Sequence, residues 1–344
     1  MTTLTAILRC IGTCLAGTCI AACLARPAAA EDDFYKGKTI TLYIGSGPGG
    51  GYDLFGRLVA RHIGRQIPGQ PTVNPQNMPG AGSINSANYI YNAAPQDGTV
   101  LGIGTPSIAL LDALRQPGVR FEAAKFNWIG RVAAEINVTF TSSTSGVRTI
   151  DDARQKEALI GCIADTSPLT IQTRVMDSVL GTRFKLIKGY ADTAATLLAV
   201  ERGEVEGTTL SWSALQTSKP EWIADKKINV LVQYTSHRSS FVPDVPSAVE
   251  FARTPEEQQV VALYVNGGDV GYAIMSGPRV PADRVKILRD AFQAMLTDAA
   301  FLDDAGRLGA EFDPLPGAEL QKLIVATTNL TPAARERAQK ALTE

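Results

Sequence analysis

Thr39-Ile40-Thr41-Leu42-Tyr43-Ile44-Gly45 runs directly into Ser46-Gly47-Pro48-Gly49-Gly50-Gly51-Tyr52-Asp53. Ile40, Leu42 and Ile44 alternate against Tyr43, which is the period of a strand. Leu54, Phe55, Leu58, Val59, Ile63 and Ile67 then recur at helical spacing, and Pro68-Gly69 stops the helix. His62 falls in register with Leu58 and Leu54, at a packing boundary, while Arg57, Arg61 and Arg65 form the solvated face. Glycines between strand and helix allow a sharp turn and bring bare N–H groups close to a ligand. The positive end of the helix points at the same place, so the junction suits an anion.

Three readings of this loop compete. Gly45, Gly47 and Gly50 satisfy the letters of a dinucleotide fingerprint, but that site also needs an acid about twenty residues further on. None occurs between Asp53 and Asp97. A phosphate-cradling loop needs a lysine at the helix start, where this chain has Gly50-Gly51-Tyr52. A plain turn has no use for three consecutive glycines, which cost backbone entropy. A small carboxylate or similar anion fits best.

Residues 1–30 contain no acid, an apolar stretch from Cys10 to Leu24, then Pro27 and Ala28-Ala29-Ala30 before Glu31-Asp32-Asp33. This reads as an export signal cleaved after Ala30, too short and interrupted for a membrane anchor. Ile20-Ala21-Ala22-Cys23 offers a rival, a lipoprotein tethered through Cys23. Either way the mature protein works outside the cytoplasm.

Four of five cysteines lie in the signal, which leaves Cys162, read as a small buried hydrophobe. The two histidines, His62 and His237, come with no Gly-x-Ser-x-Gly elbow and no zinc-ligand spacing, so neither a hydrolase nor a metal site is expected. Removing Arg9 and Arg26 from the 33 basic residues leaves 31 against 34 acids, a net charge of −3 that points away from nucleic acid.

Strand, small-residue loop and helix recur along the chain. Met78-Pro79-Gly80-Ala81-Gly82-Ser83 is a second glycine turn, and Val100 to Ile103 is a strand that ends in Gly104-Thr105-Pro106-Ser107. Residues 128–142 read as an extended crossing into a second domain, where strands at 158–163 and 184–188 each lead into a loop and a helix. Ile228 to Thr235 is expected to be a central strand returning to the first domain. Loops at the carboxyl ends of such strands converge on one crevice. The expected architecture is α/β: a two-domain Venus flytrap with two similar lobes joined by two crossover strands. Domain 1 comprises 31–133 and 236–344, domain 2 comprises 134–235, and the cleft between them traps a ligand.

Several motifs in order resemble the periplasmic substrate-binding proteins of tripartite tricarboxylate transporters, the Bug or TctC family. They are Lys38-Thr39-Ile40, Pro48-Gly49-Gly50-Gly51-Tyr52-Asp53, Met78-Pro79-Gly80-Ala81-Gly82-Ser83, Pro95-Gln96-Asp97-Gly98, Lys188-Gly189, Glu201-Arg202-Gly203-Glu204-Val205 and His237-Arg238 with Val242-Pro243-Asp244-Val245-Pro246-Ser247. The resemblance implies a monomeric periplasmic binding protein, not an enzyme and without a cofactor. It would bind a small organic acid and hand it to the transporter's membrane subunits. A sensing module for a signalling receptor and a secreted enzyme using the same cleft are the alternatives.

Carried over, the first-domain contacts are Ser46, Gly47, Gly49, Gly50 and Asp53, with Thr105 and Ser107; Asp53 also has a structural role open to it as the first-turn acid of its helix. The second domain supplies Ser167, Thr170, Asp192, Thr193 and Ser211. The chain departs from the family at Cys162-Ile163-Ala164-Asp165-Thr166-Ser167, where family glycines and a histidine are missing. Asp165 and Asp192 there disfavour a second carboxylate, or receive an amino or hydroxyl group.

Overall fold

Ile40, Leu42 and Ile44 are fully buried on β1 (Thr39–Ile44), as the alternation predicts, in a computed structural model that describes residues 34–49, 51–163, 167–307 and 312–341. The expected signal, Cys23, Gly50 and Asp165 lie outside these residues. From β1 the chain runs through α1 (Gly51–Ile63), β2 (Thr72–Asn77), α2 (Ile84–Asn92), β3 (Val100–Ile103), α3 (Ser107–Ala113) and β4 (Asn127–Arg131). It then crosses to β5 (Asn137–Ser142), α4 (Ile150–Gln155), β6 (Ala158–Gly161), α5 (Pro168–Leu180), β7 (Phe184–Ile187) and α6 (Thr193–Glu201). The second lobe continues with β8 (Gly207–Ser211), α7 (Trp212–Ser218), α8 (Pro220–Ala224) and β9 (Ile228–Gln233). The remainder is α9 (Pro255–Val270), β10 (Ala273–Ser276), α10 (Ala282–Leu296), α11 (Ala299–Arg307), β11 (Leu315–Pro316), α12 (Gly317–Thr328) and α13 (Pro332–Ala341).

Two sheets result. The first has the order β11-β4-β10-β3-β1-β2, with β1 parallel to β2 and β3, and β10 antiparallel to both β3 and β4. The second has the order β7-β6-β8-β5-β9, with β6 parallel to β7 and β8, and β5 antiparallel to β8 and β9. In each sheet three neighbouring parallel strands release their following loops at one edge. That shared direction brings the loops after β1, β2 and β3 together, and likewise those after β6, β7 and β8.

Both sheets are covered on two faces. In the first lobe α1 and α10 pack on one face, through Leu58, Val59, Leu288 and Phe292, while α2, α3 and α12 cover the other. In the second lobe α6, α7 and α8 cover one face. The other face is covered by α5 together with α9 and α13, which come from the segment read as domain 1. Val261, Tyr264 and Val265 of α9 and Ala334 and Ala338 of α13 share a core with Ile160, Val175 and Leu231. The end of α9 belongs to the first lobe, where Val270 is buried with Ala273 and Met275. This helix therefore spans both lobes.

Four sequence expectations change. β9 is an edge strand, bonded to β5 alone within the sheet, because β5 takes the inner position beside β8. Leu54 is 45% exposed although it stands in helical register with the buried Leu58 and His62. His62 is buried, with Nε2 2.9 Å from Asp304 Oδ2 and Nδ1 beside Arg65. Arg61 and Arg65 reach Asp304 and Asp298 at 3.7 Å, so the basic face is partly held by acids near and on α11. Among the described residues, no helix is long and apolar enough to cross a membrane.

Candidate functional site

The glycine loop is organised from inside by Asp53. Its carboxylate is buried and accepts hydrogen bonds from Gly49 N at 2.9 Å, Asn77 Nδ2 at 2.8 Å and Arg57 Nε at 2.9 Å. Asn77 also donates to Ser46 O, and Arg57 Nη2 donates to Asn77 Oδ1. The Arg57 bond above all, opposed by burial and helped by Gly49 and Asn77, lowers the Asp53 pKa to about 2. Gly49 has φ +87°, a conformation other residues rarely adopt. Its amide, expected to face the anion, is therefore taken by Asp53.

Ser83 ties the first three loops together. Its Oγ donates to Gly45 O and accepts from Thr105 N, both at 3.0 Å. Gly45 permits this approach, because a Cβ there would lie 2.5 Å from Ser83 Oγ. Gly80, Ala81, Gly82 and Ser83 all have positive φ, a left-handed turn that costs about 1–2 kcal/mol at each non-glycine residue. The expected contacts Thr105 and Ser107 meet here. Their hydroxyls lie 2.6 Å apart, and Thr105 Oγ1 donates to Gly82 O at 2.9 Å.

In the second lobe two helix starts are already neutralised. Asp192 Oδ1 accepts from Ala195 N at the start of α6, and Ser211 Oγ accepts from Ala214 N at the start of α7. Thr193 is the first residue of α6 and is half-buried. By contrast, Ser167 at the start of α5 makes no side-chain cap. Thr170, in the first turn of α5, is 1% exposed, and among the described residues its Oγ1 has no hydrogen-bond partner. It lines a cavity of about 10 Å³ with Gly161, Cys162, Ile163, Leu169, Thr208 and Thr209, room for roughly one water. Beneath it, Thr209 Oγ1 lies 2.6 Å from Thr139 Oγ1 and 2.7 Å from Thr173 Oγ1, and Thr139 meets the buried Tyr234 hydroxyl at 2.8 Å. This hydroxyl chain fixes the floor, since buried polar groups hold position when paired.

Between the lobes, Tyr52 donates to Glu135 Oε2 at 3.1 Å. Glu135 belongs to the crossing from β4 to β5, and its amide donates to Gly268 O of α9. Both side chains keep some accessible surface although closely surrounded. Burial raises the pKa of Glu135, with the Tyr52 bond opposing it, and raises that of Tyr52 as well.

No family model matches the sequence, and no curated protein matches it. Solved structures do match. A TctC solute-binding protein from Polaromonas, without ligand, superposes with a TM-score of 0.70 at 17% identity, covering 89% of this chain and 99% of that one. An R. palustris protein with adipate gives 0.57 at 22% identity, covering 89% and 98%. The periplasmic binding protein BugD gives 0.56 at 17%, also covering 89% and 98%. The fold is that of a periplasmic binding protein.

In a two-lobed α/β fold of this kind the crevice lies between the loops at the ends of the strands. Ser46, Gly47, Gly49, Asp53, Thr105 and Ser107 fall on one lobe's loops and the helix starts that follow them, and Ser167, Thr170, Asp192, Thr193 and Ser211 on the corresponding loops, helix starts and strand end of the other. Several are already engaged internally, namely Asp53, the Gly49 amide, Asp192 and Ser211. Sequence reasoning missed Tyr52, Asn77, Ser83 and Glu135. Asn77 carried a faint signal, as a polar residue closing a strand. Ser83 carried none, because positive φ at a serine is not written in its neighbours. Among the described residues no group of three or more His, Cys, Asp or Glu side chains is placed to hold a metal ion.

Proposed function

We propose that this protein is an extracytoplasmic solute-binding protein of the Bug or TctC type. It would capture a small organic carboxylate between its lobes and pass it to the membrane subunits of a tripartite tricarboxylate-type transporter. The observation that carries this reading is the start of α5. Among the described residues, a helix N-terminus without a side-chain cap, a Thr170 hydroxyl without a partner and a small cavity coincide there, while the starts of α6 and α7 are closed by Asp192 and Ser211. Free N–H groups at a helix start suit a carboxylate oxygen, and a hydroxyl can donate to the same charge. Adipate and malate, present in two R. palustris structures of this fold, are both small carboxylates.

In the first lobe the exposed Ala81 and Gly82 of the left-handed turn, with Ser46 and Gly47 of the glycine loop, would close over the other side of the ligand. Asp53 shapes this surface without touching the ligand. The protein would act as a periplasmic monomer, released by cleavage after Ala30. Its lobes are 31–133 with 236–344, and 134–235, with α9 and α13 bracing the second from behind.

Mature protein refolded from denaturant, to strip copurified ligand, should be screened against small organic acids by thermal shift. Ligand at a hundred times its Kd stabilises by about 2.7 kcal/mol, a rise of several degrees at about 2–4 °C per kcal/mol. No shift with any acid, together with chemical conversion of one, would sink this reading in favour of an enzyme.

A further inference from the structure

Glu135 stands at the passage between the lobes, on the segment that carries the chain from β4 to β5. Tyr52, its hydrogen-bond partner, lies in the first turn of α1, beside Gly51 and therefore beside the glycine loop. The position is fixed by packing. The Tyr52 ring lies 4.8 Å from Tyr272, which in turn stacks on Phe55 at 3.9 Å, and Gly51 fits against the Tyr272 hydroxyl. Glu135 is mostly buried yet keeps part of its surface accessible, and that part is where a ligand group would meet it.

Its charge is not met from within the described protein. Asp53 has Arg57, and Asp192 has the start of α6. For Glu135 the described partner is the Tyr52 hydroxyl, and no Lys or Arg is among the groups that act on its proton affinity. Burial there favours the protonated form, which a neighbouring cation would reverse. A second carboxylate brought to this place would meet like charge, whereas an ammonium group would supply the missing countercharge.

We propose that Glu135, with the Tyr52 hydroxyl beside it, receives an ammonium group, so that the preferred ligand is a carboxylate that also carries an amine. This rests on the reading that a carboxylate binds between the lobes, and it names the second functional group. Glu135 is then a specificity-determining residue, separate from the α5 start that holds the acid.

Calorimetric titration of ligand-stripped mature protein with matched pairs tests it: glutarate against glutamate, succinate against 4-aminobutanoate, and adipate against 6-aminohexanoate. Wild type should bind the amino member of at least one pair roughly tenfold more tightly and prefer the diacid in none, the contrast expected of one charged contact. Glu135→Gln should erase that preference while leaving diacid affinity unchanged or improved, and a melting curve shows whether the variant is folded. Tighter diacid binding by wild type, or an unchanged ratio in folded Glu135→Gln, overturns the inference and leaves the carboxylate reading standing. Absence of binding by every acid overturns both. Because the wild-type ratio is informative without any variant, a Glu135→Gln protein that fails to fold still leaves a decisive measurement.

Discussion

Replacing Asp53 with Ala is expected to loosen the first loop before it threatens the lobe. The carboxylate collects three hydrogen bonds of 2.8–2.9 Å, from Gly49 N, Asn77 Nδ2 and Arg57 Nε. A hydrogen bond to a charged group contributes about 1.5–3 kcal/mol. The three are not equal. Arg57 is 42% exposed in its side chain, so solvent screens its share down to that of an exposed i,i+4 pair, the smallest of the three. Asn77 keeps Ser46 O as an acceptor, and the exposed Gly49 amide regains water, so each loss is partly recovered. A total of about 2–3 kcal/mol follows, or a fall in Tm of roughly 4–12 °C at about 2–4 °C per kcal/mol.

The pH dependence separates this cause from a packing defect. The folded pKa of Asp53, about 2, lies below the ordinary value of 3.8, so its stabilisation is complete above pH 3.8 and disappears as pH falls toward 2. Melting curves of wild type and Asp53→Ala should therefore differ at neutral pH and converge through that window. Carboxylate affinity should drop alongside, because Ser46 and Gly49 lose their common tether. A variant that melts within about 1 °C of wild type, or a gap that persists unchanged to pH 2, would refute the reasoning.

Three further outcomes are expected. Thr170→Val keeps the shape and removes an unpartnered buried hydroxyl, so Tm should hold or rise by roughly 1–3 °C while acid affinity falls about tenfold in calorimetric titration. Gly45→Ala puts a methyl 2.5 Å from Ser83 Oγ, which should cost about 1–3 kcal/mol in a denaturant melt and weaken binding by separating the loops. Asp177, pushed up by burial to a pKa of about 7, is protonated in the fold at pH values where the unfolded chain is ionised. Wild-type stability should accordingly decline as pH rises from 3.8 to about 7. Asp177→Asn, which keeps an oxygen for Thr182 and Phe184 N, should be free of that decline and more stable at neutral pH by roughly 3 kcal/mol.

The first strand and the helix after it were legible because their signals are local. Alternation through Ile40, Leu42 and Ile44, the glycines after Gly45 and the stripe from Phe55 to Ile63 each act over a few residues, and the fold kept them. The same holds for Ser167-Pro168, where a proline in the first turn marks the start of α5. Repetition of that unit was enough to expect two α/β lobes.

Which polar groups remain for a ligand was decided only when distant segments met. Asn77 reaches Asp53 across 24 residues, Thr105 reaches Ser83 across 22, and Tyr52 reaches Glu135 across 83. Each meeting depends on which strands become neighbours, and that is settled by burying apolar faces, not by the polar residues themselves. The same principle set α9 and α13 on the second sheet. Their apolar faces complete a core with α5 that the second lobe's own helices leave open. Sequence determined where loops could bind an anion, because glycine and helix ends are local properties. Tertiary structure decided which amides were already occupied, because an amide's partner is whatever the closed fold brings to it.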